Sequence, residues 1–197
     1  FPMFEEVFDY YCLPLELKYL AIIESALNPR AVSRAGASGL WQFMTGTARY
    51  YNLKVTYWED ERFDPEKATN AALRHLKDLH QWFDDWSLAL AAYNRGSDGI
   101  DRSLRSTRSV DFDVMARRNG LPNETENYVP QFQALTIIAE NMDTYGFTRK
   151  NKMTPPAVDL VTLPKPLDLD IAAKCAGVSK DVLYDLNPTL PDQLVRP

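Results

Sequence analysis

Leu88-Ala89-Leu90-Ala91-Ala92-Tyr93 has no polar face. A helix that is apolar all round is a buried helix, so this segment is expected at the centre of a helical domain. Gly96 and Gly99 follow it and should close it. Just upstream, Asp64-Pro65-Glu66-Lys67 reads as an N-cap with proline at the first helical position. Ala68, Ala72, Leu76, Leu79 and Phe83 then line one face. Further back, Pro14 can start a helix in which Leu15, Tyr19, Ile22, Ile23, Ala26 and Leu27 recur at helical spacing. Asn28-Pro29 ends it, because the residue before a proline is pushed out of the α region. A small-residue stretch, Ser33 to Gly39, opens onto Leu40-Trp41-Gln42-Phe43-Met44. Downstream, a long helix is expected from about Asn123 to Asp143, burying Val129, Phe132, Leu135, Ile138, Ala139 and Met142. Pro130 must sit in its first turn or at a break between two short helices. The fold class is mainly α.

The chain has 197 residues, 45% hydrophobic and 25% charged. That is enough apolar material for a real core, and the length suits one main domain with a small appendage. No apolar run approaches the roughly 18 residues of a spanning helix. The net charge of -5 argues against a nucleic-acid partner, whose binder is normally basic. Cys12 and Cys175 make no disulfide framework and read as two buried free thiols. The chain begins at Phe1 with neither signal sequence nor initiator Met. It reads as a trimmed fragment whose own residues give no address.

Composition shifts at about residue 150, which divides the chain into 1–150 and 151–197. Pro155, Pro156, Pro164 and Pro166 mark a linker or an extended strand, with Val158, Leu160 and Leu163 as the strand candidate. A helix from Asp168 to Ala176 should end at Gly177. Ser179 should cap Lys180 to Leu186, which stops at Asn187-Pro188. Leu167, Leu169, Ile171, Leu183 and Leu186 are too few for an independent core. The tail is therefore expected to pack on the rest of the chain.

Glu24 stands out chemically. Leu20 lies one turn before it, Leu27 one turn after, and Ile22 and Ile23 precede it. A carboxylate in that company is poorly solvated, so its pKa should rise, as a general acid at neutral pH requires. The alternative is a Glu at the edge of the stripe, reaching out to water. Ser25, Asn28, Ser33, Gln42, Tyr93 and Asn94 lie at helix ends or in apolar company, with Trp41, Phe43, Tyr93 and Tyr128 as aromatic faces. Uncharged donors and acceptors beside aromatic faces suit a sugar groove. Equally, each polar group could cap a helix and each ring could be core.

Other constellations are weaker. His75 and His80 are five apart, not the four that puts two ligands on one turn, and they have no Cys or acidic cluster beside them. No Gly-rich phosphate loop follows a strand, and no Ser has a His base in a motif. Arg102, Arg105 and Arg108 form a stripe that reads as a solvated face, or else as a contact for an acidic polymer. Asp60, Glu61 and Asp64 could supply a second carboxylate, but Arg62 among them favours a salt-bridge and capping role.

Glu24-Ser25-Ala26-Leu27-Asn28-Pro29, Ser33 and Gly36-Ala37-Ser38-Gly39-Leu40-Trp41-Gln42-Phe43-Met44 resemble the lytic transglycosylases of the soluble-type lysozyme-like superfamily. Asp60-Glu61-Arg62-Phe63-Asp64-Pro65, Ala91-Ala92-Tyr93-Asn94-Arg95-Gly96 and Glu124-Thr125-Glu126-Asn127-Tyr128-Val129-Pro130 are similar to the later blocks of that family, in its order. The resemblance covers about residues 1–150. It implies a lysozyme-like helical catalytic domain acting on the glycan strands of bacterial peptidoglycan. It makes Glu24 the catalytic acid/base and places Ser33, Gln42, Met44, Tyr93, Asn94 and Tyr128 on groove or catalytic-support positions. No metal, no cofactor and no nucleic acid are expected. The resemblance also implies a monomer in the periplasm or cell envelope, with any membrane anchor outside this segment.

The reaction implied is cleavage of the β-1,4 bond between N-acetylmuramic acid and N-acetylglucosamine, leaving 1,6-anhydromuramic ends. The alternatives are a goose-type lysozyme-like or chitinase-like hydrolase, or a non-catalytic glycan-binding protein. One position departs from the family: Thr45 stands where proline is usual, and it is expected to cap the next helix. The tail looks like part of a LysM-type sugar-binding module with incomplete strands.

Overall fold

The computed structural model describes residues 2–148, 157–159, 161–163 and 167–190. These carry ten α-helices and no extended strand, only isolated bridges. The chain divides into two compact units. One holds Glu24–Ala71 and the tail; the other holds Pro2–Ile23 and the stretch from Ala72 to residue 149.

In the second unit, α1 (Pro2–Tyr11) leads to a 3-10 turn over Leu15–Tyr19 and then to α2 (Leu20–Ser25), whose last two residues fall in the first unit. Pro14 is the cap of the 3-10 turn, not the first residue of an α-helix. Helix α2 also stops earlier than its apolar pattern suggests. Ala26 and Leu27 take left-handed φ values of 51° and 62°, a conformation that costs a non-glycine residue about 1–3 kcal/mol. Beyond the helix end Ala26 is exposed and Leu27 half-buried, so the apolar pattern there reports neither helix nor core.

Helix α5 (Trp86–Arg95) is the centre of this unit. Leu88, Ala89, Leu90, Ala91 and Ala92 are each at most 2% exposed. Asp85 caps it by accepting from Leu88 N at 2.8 Å, and Gly96 ends it at φ 85°. It packs against α6 (Ser97–Thr107) and α8 (Asn123–Glu140). Gly99 does not close α5. It is buried within α6, where an added Cβ would meet Arg95 Cγ at 2.7 Å. Between α6 and α8 lies α7 (Phe112–Arg117), capped by Asp111.

Pro130 lies inside a continuous α8, neither in its first turn nor at a break. The residue faces solvent, so the carbonyl left without a partner can turn to water. Val129 is buried, whereas Phe132, Leu135, Ile138, Ala139 and Met142 are half-buried. The helix gives way at Glu140 to a 3-10 turn, Met142–Tyr145.

His75 lies on α4 (Pro65–Phe83), 5.2 Å from the Tyr93 ring. Burial pushes its imidazole down to about 4, and the Asp78 carboxylate only partly opposes this. Between pH 6.5 and 4 the unfolded chain then binds a proton that the folded chain does not. Stability should therefore fall as pH drops through that window, by up to about 3 kcal/mol. Denaturant melts at pH 7 and pH 4.5 should show the loss, and His75→Gln should flatten it. Equal pH dependence in that variant would assign the effect to other groups.

In the first unit, Trp41 is fully buried and donates from Nε1 to Thr69 Oγ1 at 2.9 Å. Helix α3 spans Thr45–Tyr50. Its cap is Met44, which makes no side-chain cap bond, so Thr45 takes the first helical position instead of capping. Asp64 caps α4 as its sequence suggests, accepting from Glu66 N at 3.0 Å and Lys67 N at 2.9 Å. Ala68, Ala72, Leu76 and Leu79 are buried along that helix, which begins in one unit and ends in the other.

The tail contributes α9 (Leu169–Ala176) and α10 (Lys180–Leu186) to the first unit. Gly177 ends α9 at φ 69°, and Ser179 Oγ accepts from Val182 N at 3.3 Å. Asp60 N donates to Thr189 O at 2.9 Å, and Leu169 and Ala173 are buried, so the tail does pack on an earlier segment. Val158 and Leu163 are exposed and belong to no strand. Pro155, Pro156, Leu160, Pro164 and Pro166 lie outside the described residues. Cys12 and Cys175 are free but exposed, not buried. Cys12 sits just beyond the end of α1 at φ 54°, and Cys175 is on the outer face of α9.

Candidate active site

Glu24 is half-buried on the last turn of α2. The neighbouring Ser25 Oγ donates to Leu40 O at 2.8 Å, tying the helix end to the following ribbon. Asn28 N donates to Ser25 O at 3.0 Å, Ala31 N to Asn28 O at 3.2 Å and Gly39 N to Ala31 O at 2.8 Å. Ser38 and Phe43 exchange two backbone bonds of 3.1 Å. Ser33 Oγ accepts from Ala37 N at 3.0 Å. Gln42, at φ 49°, donates from Nε2 to Gly39 O at 2.8 Å and Ala31 O at 3.2 Å. Both side chains thus hold the ribbon that follows Glu24. Met44, at the end of the ribbon, is 49% exposed.

The ribbon is fixed by a buried guanidinium. Arg62 Nη1 donates to Gly36 O at 2.9 Å and Phe43 O at 3.1 Å, while Nε and Nη2 donate to Asp60 at 2.9 and 2.6 Å. Glu61 accepts from Lys54 N at 2.7 Å and pairs with Lys67 Nζ at 2.6 Å. Burial works to raise the Glu61 carboxyl, but these partners outweigh it and hold it below its ordinary value. Asp60, Glu61 and Asp64 are therefore all engaged, in an ion pair or a cap. A bare carboxylate for chemistry is not found among these three.

In the other unit, Tyr93 and Asn94 end α5, and Tyr128 is buried on α8. Asn94 Oδ1 accepts from Thr125 Oγ1 at 2.8 Å, and its Nδ2 donates to Glu124 Oε1 at 3.1 Å. Helix α5 packs on α8, which sets Asn94 against the first turn of α8, while the Tyr93 ring lies beside His75 of α4. His80 stacks on Trp86 with ring centroids 4.1 Å apart. Arg102, Arg105 and Arg108 are all exposed. Among the described residues no group of His, Cys, Asp and Glu is placed to hold a metal ion. Two residues to which the sequence alone assigns no such role matter to the site's frame. Gly39 lies against Arg62 O, and Arg30 reaches the tail.

Helix α2 thus carries a half-buried glutamate in its last turn and is followed by a ribbon pinned by an arginine. The transglycosylase SLT domain family matches residues 3–116, and the chain belongs to that family. It is 37% identical over 180 residues to membrane-bound lytic murein transglycosylase D of Escherichia coli, covering 89% of this chain and 39% of that protein. It is 34% identical over 113 residues to the soluble lytic murein transglycosylase of Salmonella typhimurium, covering 54% of this chain and 17% of that one. Among solved structures, it resembles the 70-kDa soluble lytic transglycosylase of Escherichia coli. There the TM-score is 0.58 and the identity 26%, over 71% of this chain and 24% of that chain. This chain therefore spans well under half the length of these relatives.

Proposed function

We propose that the chain is a peptidoglycan lytic transglycosylase acting in the cell envelope, with Glu24 as its acid and then its base. The observation that carries this is Glu24 itself: half-buried at a helix end, within a segment whose family is established and whose supporting ribbon is intact. Glu24 gives its proton to the bridging oxygen as the bond from N-acetylmuramic acid to N-acetylglucosamine breaks. An oxocarbenium-like state forms on the muramic ring. The ring's own 6-hydroxyl then attacks the anomeric carbon and returns its proton to Glu24, so that no water is consumed. The commitment of Asp60, Glu61 and Asp64 to Arg62, Lys67 and helix α4 favours this internal trap over hydrolysis with a second carboxylate. Ser33, Gln42, Met44, Tyr93, Asn94 and Tyr128 are assigned to the groove and its support.

Mass spectrometry of digested peptidoglycan tests the reading. Anhydro ends support it; reducing ends would mean a hydrolase, and no release a binding protein. Removing either tyrosine hydroxyl is expected to cut turnover more than stability. One hydrogen bond to a developing charge is worth about 1.5–3 kcal/mol, so Tyr93→Phe and Tyr128→Phe should each slow cleavage by roughly ten- to a hundred-fold. Unchanged turnover with a lowered melting temperature would make these hydroxyls structural only.

A further inference from the structure

Arg30 lies six residues beyond Glu24, on the turn that follows α2. Its backbone N donates to Asn28 Oδ1 at 2.9 Å. The guanidinium lies 3.6 Å from the centre of the Tyr184 ring on α10. It donates from Nη2 to Tyr184 O and stands 3.6 Å from Asp185. Only about a quarter of the side chain is exposed. An arginine that stacks, donates and pairs at once is held far more firmly than a surface ion pair. Its partners lie on the tail, which the second tie from Asp60 N to Thr189 O also holds.

The turn between Glu24 and Arg30 needs such a hold. Ala26 and Leu27 are both left-handed, and strained residues keep that conformation only where their surroundings over-determine it. On one side the determinants are Ser25 to Leu40 and Gly39 to Ala31. On the other side the contact is Arg30 with α10.

We propose that Arg30 is a positioning residue: it clamps the C-terminal helix pair to the turn after α2 and so fixes the setting of Glu24. This rests on Glu24 being the reacting carboxyl. The helix pair then serves as a brace for the catalytic turn.

The test is amide hydrogen exchange on the full chain together with steady-state cleavage of peptidoglycan. In Arg30→Ala the Asn28 and Ala31 amides should exchange at least about ten-fold faster, while Ser38 and Phe43 stay protected. kcat should fall by about ten-fold with KM within about two-fold. Arg30→Lys keeps the charge and a donor but loses the planar fork, and should recover part of both losses. Unchanged protection of Asn28 and Ala31 overturns the proposal. So does loss of protection at Ser38 and Phe43 as well, which would mean general destabilisation, and so does a change in KM alone. If the unsubstituted chain releases no fragments, the assignment of Glu24 fails. The exchange difference would still show whether the clamp holds the turn.

Discussion

Glu24→Gln is expected to keep the fold and to abolish cleavage. The substitution preserves shape and, in the proposed mechanism, removes both the proton that departs with the leaving oxygen and the base that recovers one. Acid–base assistance is worth roughly 10² to 10⁴ in rate, and in that mechanism one residue serves both steps, so the loss should reach at least the upper end. Glu24 stands on a short helix whose Leu20 and Ala21 are buried, and those contacts do not depend on its charge. The measurement is release of soluble fragments from purified sacculi, beside a melting curve. Near-normal release by a folded Glu24→Gln protein would remove the residue from the mechanism.

The largest expected effect on stability comes from Gly39→Ala. Gly39 has φ 82°, and an added Cβ would overlap Arg62 O and come within 2.7 Å of Arg62 C. Those are backbone atoms, carried by a residue whose side chain holds Gly36 and Phe43. The ribbon and the arginine cannot both keep their places. A loss of at least about 4 kcal/mol is expected, the range of severe core disruption. For a domain of this size that lowers the melting temperature by about 10 °C. Gly36→Ala is the control: its φ is 83°, but nothing lies within 4 Å of the new Cβ. It should cost only about 1 kcal/mol. If the two variants melted together, the close approach to Arg62 would have no energetic weight.

Most helices were legible because their ends use local chemistry. Asp64-Pro65, Gly177 and Ser179 act on their own neighbours, and the apolar run at Leu88 could only be buried. What was not legible depends on distant partners. The early stop of α2 coincides with left-handed Ala26 and Leu27, and the turn after it is tied to Leu40 through Ser25 and to Tyr184 through Arg30, contacts 15 and 154 residues apart in the chain. Pro130 carries a local penalty that α8 absorbs without breaking. Free thiols are buried on average, but Cys12 and Cys175 stand at positions that leave them exposed. At the candidate site, Glu24 was visible from its apolar company. Ser33 and Gln42 cap no helix: both bond backbone atoms of the non-helical ribbon, a role that depends on how that ribbon folds back. The role of Gly39 was not, because a glycine's need for space appears only when its neighbour is known.

The two exposed thiols give the molecule a ready-made ruler. The chain has two cysteines, and Cys12 falls in one compact unit and Cys175 in the other. A maleimide dye or spin label added to the unaltered chain therefore marks each unit once. The distance between the labels, followed as glycan is added, reads any motion of one unit against the other without a single engineered substitution.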